Sequence, residues 1–267
     1  MKQLRVFLMG GTKDSIDIIK FLKKEYDVYI LTTTTTEYGS TLAIKGGSDS
    51  VIANPLPKED ILKILTEKNF DIFIDATHPF AEHVTQTAIE CAKIMKIPYI
   101  RFERPTSNFE NSLNEKIHLV ISFDDAGKLI SKKWNEDNVL HLAGANTLKD
   151  ILKSIPPEKI YPRILNLENS IKKCDELKIP KENIIILNGV STKEENINLI
   201  KKINAKVIIS KDSGEVGGVP AKIEAANELG IDIIIIKRPK IDSLQKENIV
   251  NNLTDLNLKI QKYLCEN

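Results

Sequence analysis

Leu4-Arg5-Val6-Phe7-Leu8-Met9-Gly10-Gly11-Thr12 reads as a short apolar β-strand running into a glycine turn. The next residues carry Ile18, Phe21 and Leu22 at i, i+3 and i+4, the spacing of one helix face. A strand apolar on both faces must be covered on both faces, which parallel sheets with crossover helices achieve. The same unit recurs outward along the chain. Val28 to Thr33 reads as the next strand, and a helix near Lys58 to Lys68 turns Ile61, Leu62 and Leu65 to one side. Asp71 to Asp75 is a further strand, followed by a helical stripe of Val84, Ala88, Cys91, Ala92 and Met95 and by a strand over Pro98 to Glu103. In the second half, strands are expected at Lys116 to Ser122, Val139 to Ala143, Ile160 to Ile164, Asn183 to Leu187, Lys206 to Ser210 and Asp232 to Ile236. This alternation is the signature of an α/β fold with mainly parallel sheets.

At 267 residues the chain is long enough for two domains with cores of their own. The repetition supports two. Ile97-Pro-Tyr-Ile-Arg-Phe-Glu-Arg104-Pro105 resembles Ile231-Asp-Ile-Ile-Ile-Ile-Lys-Arg238-Pro239, and the same ungapped offset lays Asp75-Ala-Thr-His78 on Ile209-Ser-Lys-Asp212. Two related domains are therefore expected, over 1–105 and 106–240. The turn-rich stretch 104–115 is the linker, and 241–267 forms a C-terminal helix, amphipathic from Ser243 to Tyr263, that packs back on one of them.

Composition narrows the function. The 38 basic and 37 acidic side chains give a net charge of +1 and are mixed along the chain, so no basic face for nucleic acid is expected. Cys91, Cys174 and Cys265 lie far apart, with no zinc spacing, and His78 and His83 have the wrong separation for a helical metal pair. No metal site is expected. Nor is there a run long enough for a signal peptide or a membrane span, so a cytoplasmic location is expected.

In open α/β sheets, ligands bind beyond the carboxyl ends of the strands. Four loops qualify. Gly10-Gly11-Thr12 suits close approach of a phosphate to backbone at a helix N-terminus, although a plain tight turn would look similar. Thr32-Thr-Thr-Thr-Thr36-Glu37-Tyr38-Gly39 follows the second strand, where NAD-binding proteins usually carry an acidic ribose anchor. Threonine hydroxyls, or Lys45, would suit a 2′-phosphate, which leans toward NADPH; the plainer reading is that threonine favours strands. Asp75-Ala76-Thr77-His78-Pro79-Phe80-Ala81 closes a buried strand and opens a helix, with Pro79 suited to its first turn. Ser210-Lys211-Asp212-Ser213-Gly214, followed by Lys222, is the matching loop of the second half. Arg101, Arg104, Arg163 and Arg238 lie near strand ends and suit carboxylates, or ion pairs within the protein.

Taken together, Gly10-Gly11-Thr12, Asp75-Ala-Thr-His-Pro-Phe-Ala81, Ile100-Arg-Phe-Glu-Arg104-Pro105, Ser210-Lys-Asp-Ser-Gly214 with Lys222, and Arg238-Pro239 resemble the precorrin-6A and cobalt-precorrin-6A reductases over residues 4–240. Two departures are Asn188-Gly189-Val190-Ser191, where that family often has Gly-Pro-Phe, and a second-strand loop without arginine. The resemblance implies two Rossmann-like domains with the active site in the cleft between them, and reduction of a double bond of a polycarboxylate corrin precursor by NADPH during cobalamin synthesis. It implies cofactor contacts from Gly10, Gly11, Thr12, Thr33, Thr34, Tyr38, Gly39, Ala76 and Thr77. Substrate contacts are expected from His78, Arg104, Lys211, Ser213 and Lys222. His78 is the first candidate for proton delivery, with Asp212 and Lys211 behind it. The expected partner is this small molecule alone, with the protein a monomer or small homo-oligomer. A nucleotide-sensing regulatory protein and an S-adenosylmethionine-dependent methyltransferase are the alternatives.

Overall fold

The computed structural model describes residues 3–106 and 114–266. Most of the expected linker, 107–113, lies outside the described residues. The chain divides into two compact units, Met1–Pro105 with Pro239–Asn267, and Thr106–Arg238.

The first unit opens with β1 (Leu4–Met9), α1 (Lys13–Glu25), β2 (Val28–Thr33), α2 (Glu37–Gly46), β3 (Ser50–Ile52), α3 (Lys58–Lys68), β4 (Ile72–Asp75), α4 (Glu82–Met95) and β5 (Tyr99–Phe102). The second unit holds β6 (Ile117–Val120), α5 (Phe123–Lys133), β7 (Asn138–His141), α6 (Leu148–Ile151), β8 (Ile160–Ile164), α7 (Glu168–Glu176), β9 (Ile185–Ile186), α8 (Lys193–Ile203), β10 (Ala205–Lys211), α9 (Val219–Leu229) and β11 (Asp232–Ile236). The chain then returns to the first unit with β12 (Ile249–Val250) and α10 (Leu253–Glu266).

Among the described residues each unit forms one six-stranded sheet, ordered β3-β2-β1-β4-β5-β12 and β9-β8-β7-β10-β11-β6, with every pairing parallel. Both orders reverse direction once, between β1 and β4 and between β7 and β10. That is the doubly wound, dinucleotide-binding arrangement, whose ligand crevice lies at the reversal. The edge strand beside β5 arrives from the end of the chain, whereas the one beside β11 precedes its unit's other strands.

Side-chain alternation in β1 explains the layering. Leu4, Val6 and Leu8 pack with Ile18, Ile19 and Leu22 of α1 and with Leu256 and Ile260 of α10, all buried. Phe7 and Met9 point the other way, among Ile61 and Leu65 of α3 and Ala88, Cys91 and Ala92 of α4. On that second face Phe7 meets Phe73 edge-on at 4.8 Å between ring centres, an arrangement worth about 0.5–1.5 kcal/mol beyond burial.

Three expectations need correcting. The helix expected from Ser243 begins at Leu253. Ile249 and Val250 instead pair with Arg101 and Phe102 as β12, and the Asn252 Oδ1 then accepts the Asp255 N–H at 2.8 Å to start the helix. Pro79 does not open α4 but sits in a turn closed by the Ala81 N–H on the His78 carbonyl at 2.8 Å, three residues before the helix. Finally, the ungapped sequence echo slips by one residue at β4. On the face covered by α3 and α4, the last cross-strand pair is Asp75–Arg101, preceded by Phe73–Tyr99. On the equivalent face under α8 and α9, the last buried pair is Ser210–Ile235, preceded by Ile208–Ile233. Asp75 therefore corresponds to Ser210 rather than Ile209, because β10 pairs with β11 one residue further on.

Candidate functional site

The two glycines after β1 are there for different reasons. A Cβ at Gly10 would lie 2.9 Å from Ser15 Oγ and 3.1 Å from Thr32 Cγ2, so Gly10 lets α1 pack closely against the strands. Gly11 has φ of +92°, which disfavours any side chain, and a Cβ there would meet nothing within 4 Å. The space above Gly11 is open to a ligand. Thr12 then caps α1: its Oγ1 accepts the Ser15 N–H at 3.2 Å and donates to the Ala76 carbonyl at 2.8 Å. This last bond ties the loop after β1 to the loop after β4 across the strand reversal.

The threonine loop closes the same crevice. A Cβ at Gly39 would lie 3.6 Å from the Gly11 Cα, so the start of α2 stands beside Gly11. Its hydroxyls are largely engaged by the protein itself. Thr32 Oγ1 bonds with Ser48 Oγ at 2.7 Å, Thr34 Oγ1 donates to the Thr36 carbonyl at 3.1 Å, and Thr36 Oγ1 accepts the Gly39 N–H as the cap of α2. Thr33 and Thr34 are buried, whereas the Tyr38 ring is 71% exposed beside the α2 N-terminus.

Beyond β4, Asp75 is fully buried with both carboxylate oxygens bonded. Oδ1 accepts the Thr77 N–H at 2.9 Å, the Thr77 hydroxyl at 2.7 Å and Arg101 Nη1 at 2.8 Å; Oδ2 accepts the Tyr99 hydroxyl at 2.9 Å. Burial, and then the adjacent Asp75 carboxylate, push the Tyr99 phenol well above its ordinary range, so it stays protonated. His78 follows in the loop, half-buried. Its Nδ1 accepts the Phe80 N–H at 3.2 Å, which selects the tautomer with the proton on Nε2. Arg104 Nη2 is 2.7 Å from Asp14 Oδ2, in the first turn of α1.

The second unit concentrates buried cations at its own strand reversal. Lys222, in the first turn of α9, donates to Ser210 Oγ at 3.2 Å and to the Gly217 carbonyl at 3.0 Å. Burial, and then the like charges of Arg163 and Lys211, push its ammonium down to about 7. Burial alone pushes Lys211 down to about 8. Asp212, also buried, keeps Oδ1 without a hydrogen bond, while Arg238 Nε donates to its backbone carbonyl at 3.1 Å. Ser213 lies against Gly217, where a Cβ would collide with its hydroxyl. The Lys222 ammonium, buried beside other cations with a hydroxyl and a carbonyl as its partners, is poised to take an anion.

His141 and Gly144 also belong here and escaped the sequence reading. Burial, and then Lys211, push the His141 imidazole down to about 3, so it is neutral; Gly144 has φ of +83° with nothing near its Cβ position, the counterpart of Gly11. The ungapped echo, run back from the β4 motif, sets Gly144 on Gly10; the pairing of β1 with β4 and of β7 with β10 moves it to the place of Gly11. Among the described residues, no group of three or more His, Cys, Asp and Glu side chains could hold a metal ion, and no helix is long and apolar enough to cross a membrane.

The family model described as "Precorrin-6x reductase CbiJ/CobK" matches residues 5–260. The chain is 40% identical to the cobalt-precorrin-6A reductase of Methanocaldococcus jannaschii, over 90% of this chain and 92% of that one. It is 36% identical to that of Methanothermobacter thermautotrophicus, over 98% and 85%. A solved structure of a CobK precorrin-6A reductase shares the fold, with a TM-score of 0.74 at 17% identity over 98% of this chain and 97% of that one.

Proposed function

The chain belongs to the precorrin-6x reductase family, and on that premise we propose that it is a cytoplasmic oxidoreductase of cobalamin biosynthesis that uses NADPH to reduce a ring double bond of precorrin-6A or its cobalt form. The observation that carries the cofactor assignment is Gly11, a positive-φ residue with open space above it at the strand reversal, beside two helix N-termini. A dinucleotide fits there: Gly10, Gly11 and Thr12 hold the pyrophosphate, Thr33, Thr34, Tyr38 and Gly39 surround the adenosine end, and Ala76 and Thr77 line the way to the nicotinamide. When bound, NADPH supplies the hydride.

The remaining work falls to the chain's own groups. Lys211, Lys222 and Ser213 take carboxylates of the macrocycle, and the Lys222 ammonium, its pKa lowered by burial and by neighbouring cations, gains most from one. His78 donates from Nε2 to the substrate and orients it. Its Nδ1 must hold the Phe80 N–H, so forming an imidazolium there would break that bond. Lys211 is the better proton carrier, because its pKa of about 8 lies near the working pH. Asp212, with a bare buried oxygen beside it in sequence, is the runner-up.

The test is direct titration with NADPH, NADH and S-adenosylmethionine, followed by turnover of precorrin-6A. NADPH binding with turnover is expected. Preferential S-adenosylmethionine binding would make the chain a methyltransferase, and NADPH binding without turnover would make it a sensor.

A further inference from the structure

We propose that Asp75, Tyr99 and Arg101 are positioning residues: a buried, charged clamp that holds the Ala76–His78 loop in the conformation the crevice requires. The proposal rests on the reading of that crevice as the cofactor site.

Placement comes first. Asp75 and Arg101 are cross-strand partners at the last rung of β4 and β5, and Tyr99 lies two residues earlier on the same face. Asp75 and Arg101 are 0% and 1% exposed, among the most deeply buried side chains of the molecule. Their bonds converge on one residue of the loop. Thr77 gives its N–H and its hydroxyl to Asp75 Oδ1, and the same hydroxyl lies 3.0 Å from Arg101 Nη1. On one side of Thr77 is Ala76, whose carbonyl takes the Thr12 hydroxyl at the head of α1. On the other is His78. Thr77 thus connects the clamp to both the phosphate turn and the imidazole.

Energetics do not explain why this clamp is ionic. Removing two charges from water costs several kcal/mol per ion, and apolar side chains of similar size usually give equal or greater stability. The second unit shows this within the same chain. Its equivalent positions are Ser210, Ile233 and Ile235, all 0% exposed, in the same strand order and under equivalent helices. The fold closes this rung with isoleucine. What isoleucine cannot do is grip a polar loop. In the second unit β10 runs on to Lys211, and the loop after it is held from α9, by Lys222 on Ser210 Oγ and the Gly217 carbonyl, whereas β4 stops at Asp75 and the loop is gripped at once from the strands.

The test replaces the clamp by apolar and small side chains of the kind found in the second unit, in Asp75→Ser/Tyr99→Phe/Arg101→Ile, so that no buried charge is left alone. Thr77→Val and Thr77→Ser are made alongside, because they leave the ion pair intact and keep the test alive if the triple variant fails to fold. Amide exchange over 76–81 in the ligand-free protein, and NADPH dissociation constants, are measured for each. Expected are a folded triple variant and a folded Thr77→Val, both with exchange in the loop faster by tenfold or more and NADPH affinity weaker by tenfold or more, and a Thr77→Ser whose loop exchange in the ligand-free protein stays within about threefold of the unaltered protein. Unchanged loop exchange and NADPH affinity in Thr77→Val, or in a folded triple variant, would overturn the clamp. If the unaltered protein does not bind NADPH, the cofactor reading fails by itself, and loop exchange in the variants still decides whether the clamp holds the loop.

Discussion

Single residues carry the sharpest tests. At Gly11 a side chain must adopt φ of +92°, a strain of roughly 1–3 kcal/mol, and would project into the open space where the pyrophosphate is proposed to lie. Gly11→Val is therefore expected to remain folded, lose several degrees in Tm, and lose NADPH binding by isothermal titration. Undiminished affinity would make the turn purely structural. His78 tests the tautomer argument. If Nε2–H only orients substrate, His78→Gln, which can place an N–H at similar reach, should keep kcat within about tenfold and leave NADPH affinity intact. A loss of about 10²-fold or more, the scale of a positioned acid, would return proton transfer to the imidazole. Lys222 tests the anion site. Its pKa in the folded protein is near 7 against 10.5 as the ordinary value, so unfolding takes up protons between those limits and stability should rise with pH across that window. Lys222→Met should raise Tm at pH 7, flatten the Tm–pH profile between pH 7 and 10, and weaken substrate binding. In the unaltered protein, substrate affinity should fall as pH rises past about 8, as the two ammoniums lose their charge. A less stable Met variant would mean that the ammonium is better satisfied than its surroundings suggest.

At the scale of elements, the first unit depends on a strand and helix from the end of the chain. Leu256 and Ile260 of α10 are fully buried against Leu4, Val6 and Ile18. Leu256→Ala should cost about 2–5 kcal/mol, as large-to-small changes in a well-packed core do. Ending the chain at Arg238 removes α10 and β12 together, and should abolish NADPH binding through loss of the unit's fold. Denaturant melts of both proteins, followed by circular dichroism, check this; a truncated chain that keeps NADPH affinity would show that α10 only covers a surface. Two short strands, β3 and β12, were hidden in the sequence. β3 has three residues and β12 two, too few for a period-two pattern to rise above noise, whereas the α1, α3 and α4 stripes were readable because each spans several turns.

For the molecule as a whole, cofactor preference is the summary property. No carboxylate stands at the carboxyl end of β2 itself, where Thr32 to Thr36 run and Glu37 follows only in the first turn of α2, even though Thr32, Thr34 and Thr36 have their hydroxyls engaged in holding the loop. NADPH is expected to bind at least tenfold more tightly than NADH in one buffer. Equal affinity would mean that the loop contributes shape alone and nothing receives the phosphate.

Local pattern determined the α/β class, most strand positions and the loops that matter, because apolar runs, glycine turns and polar strand ends leave their mark within a few residues of each other. The sequence also carried the duplication, in its two Arg-Pro ends. Tertiary structure decided what depends on pairing between distant segments: the register that sets Ser210 rather than Ile209 opposite Asp75's place, the return of the chain to complete the first sheet, and the fate of individual charges. Arg104 and Arg101 look alike in sequence, each beside a strand end. Only packing sends one to Asp14 and buries the other on Asp75, and only burial, joined at Lys222 by neighbouring cations, brings Lys211 down to about 8 and Lys222 to about 7.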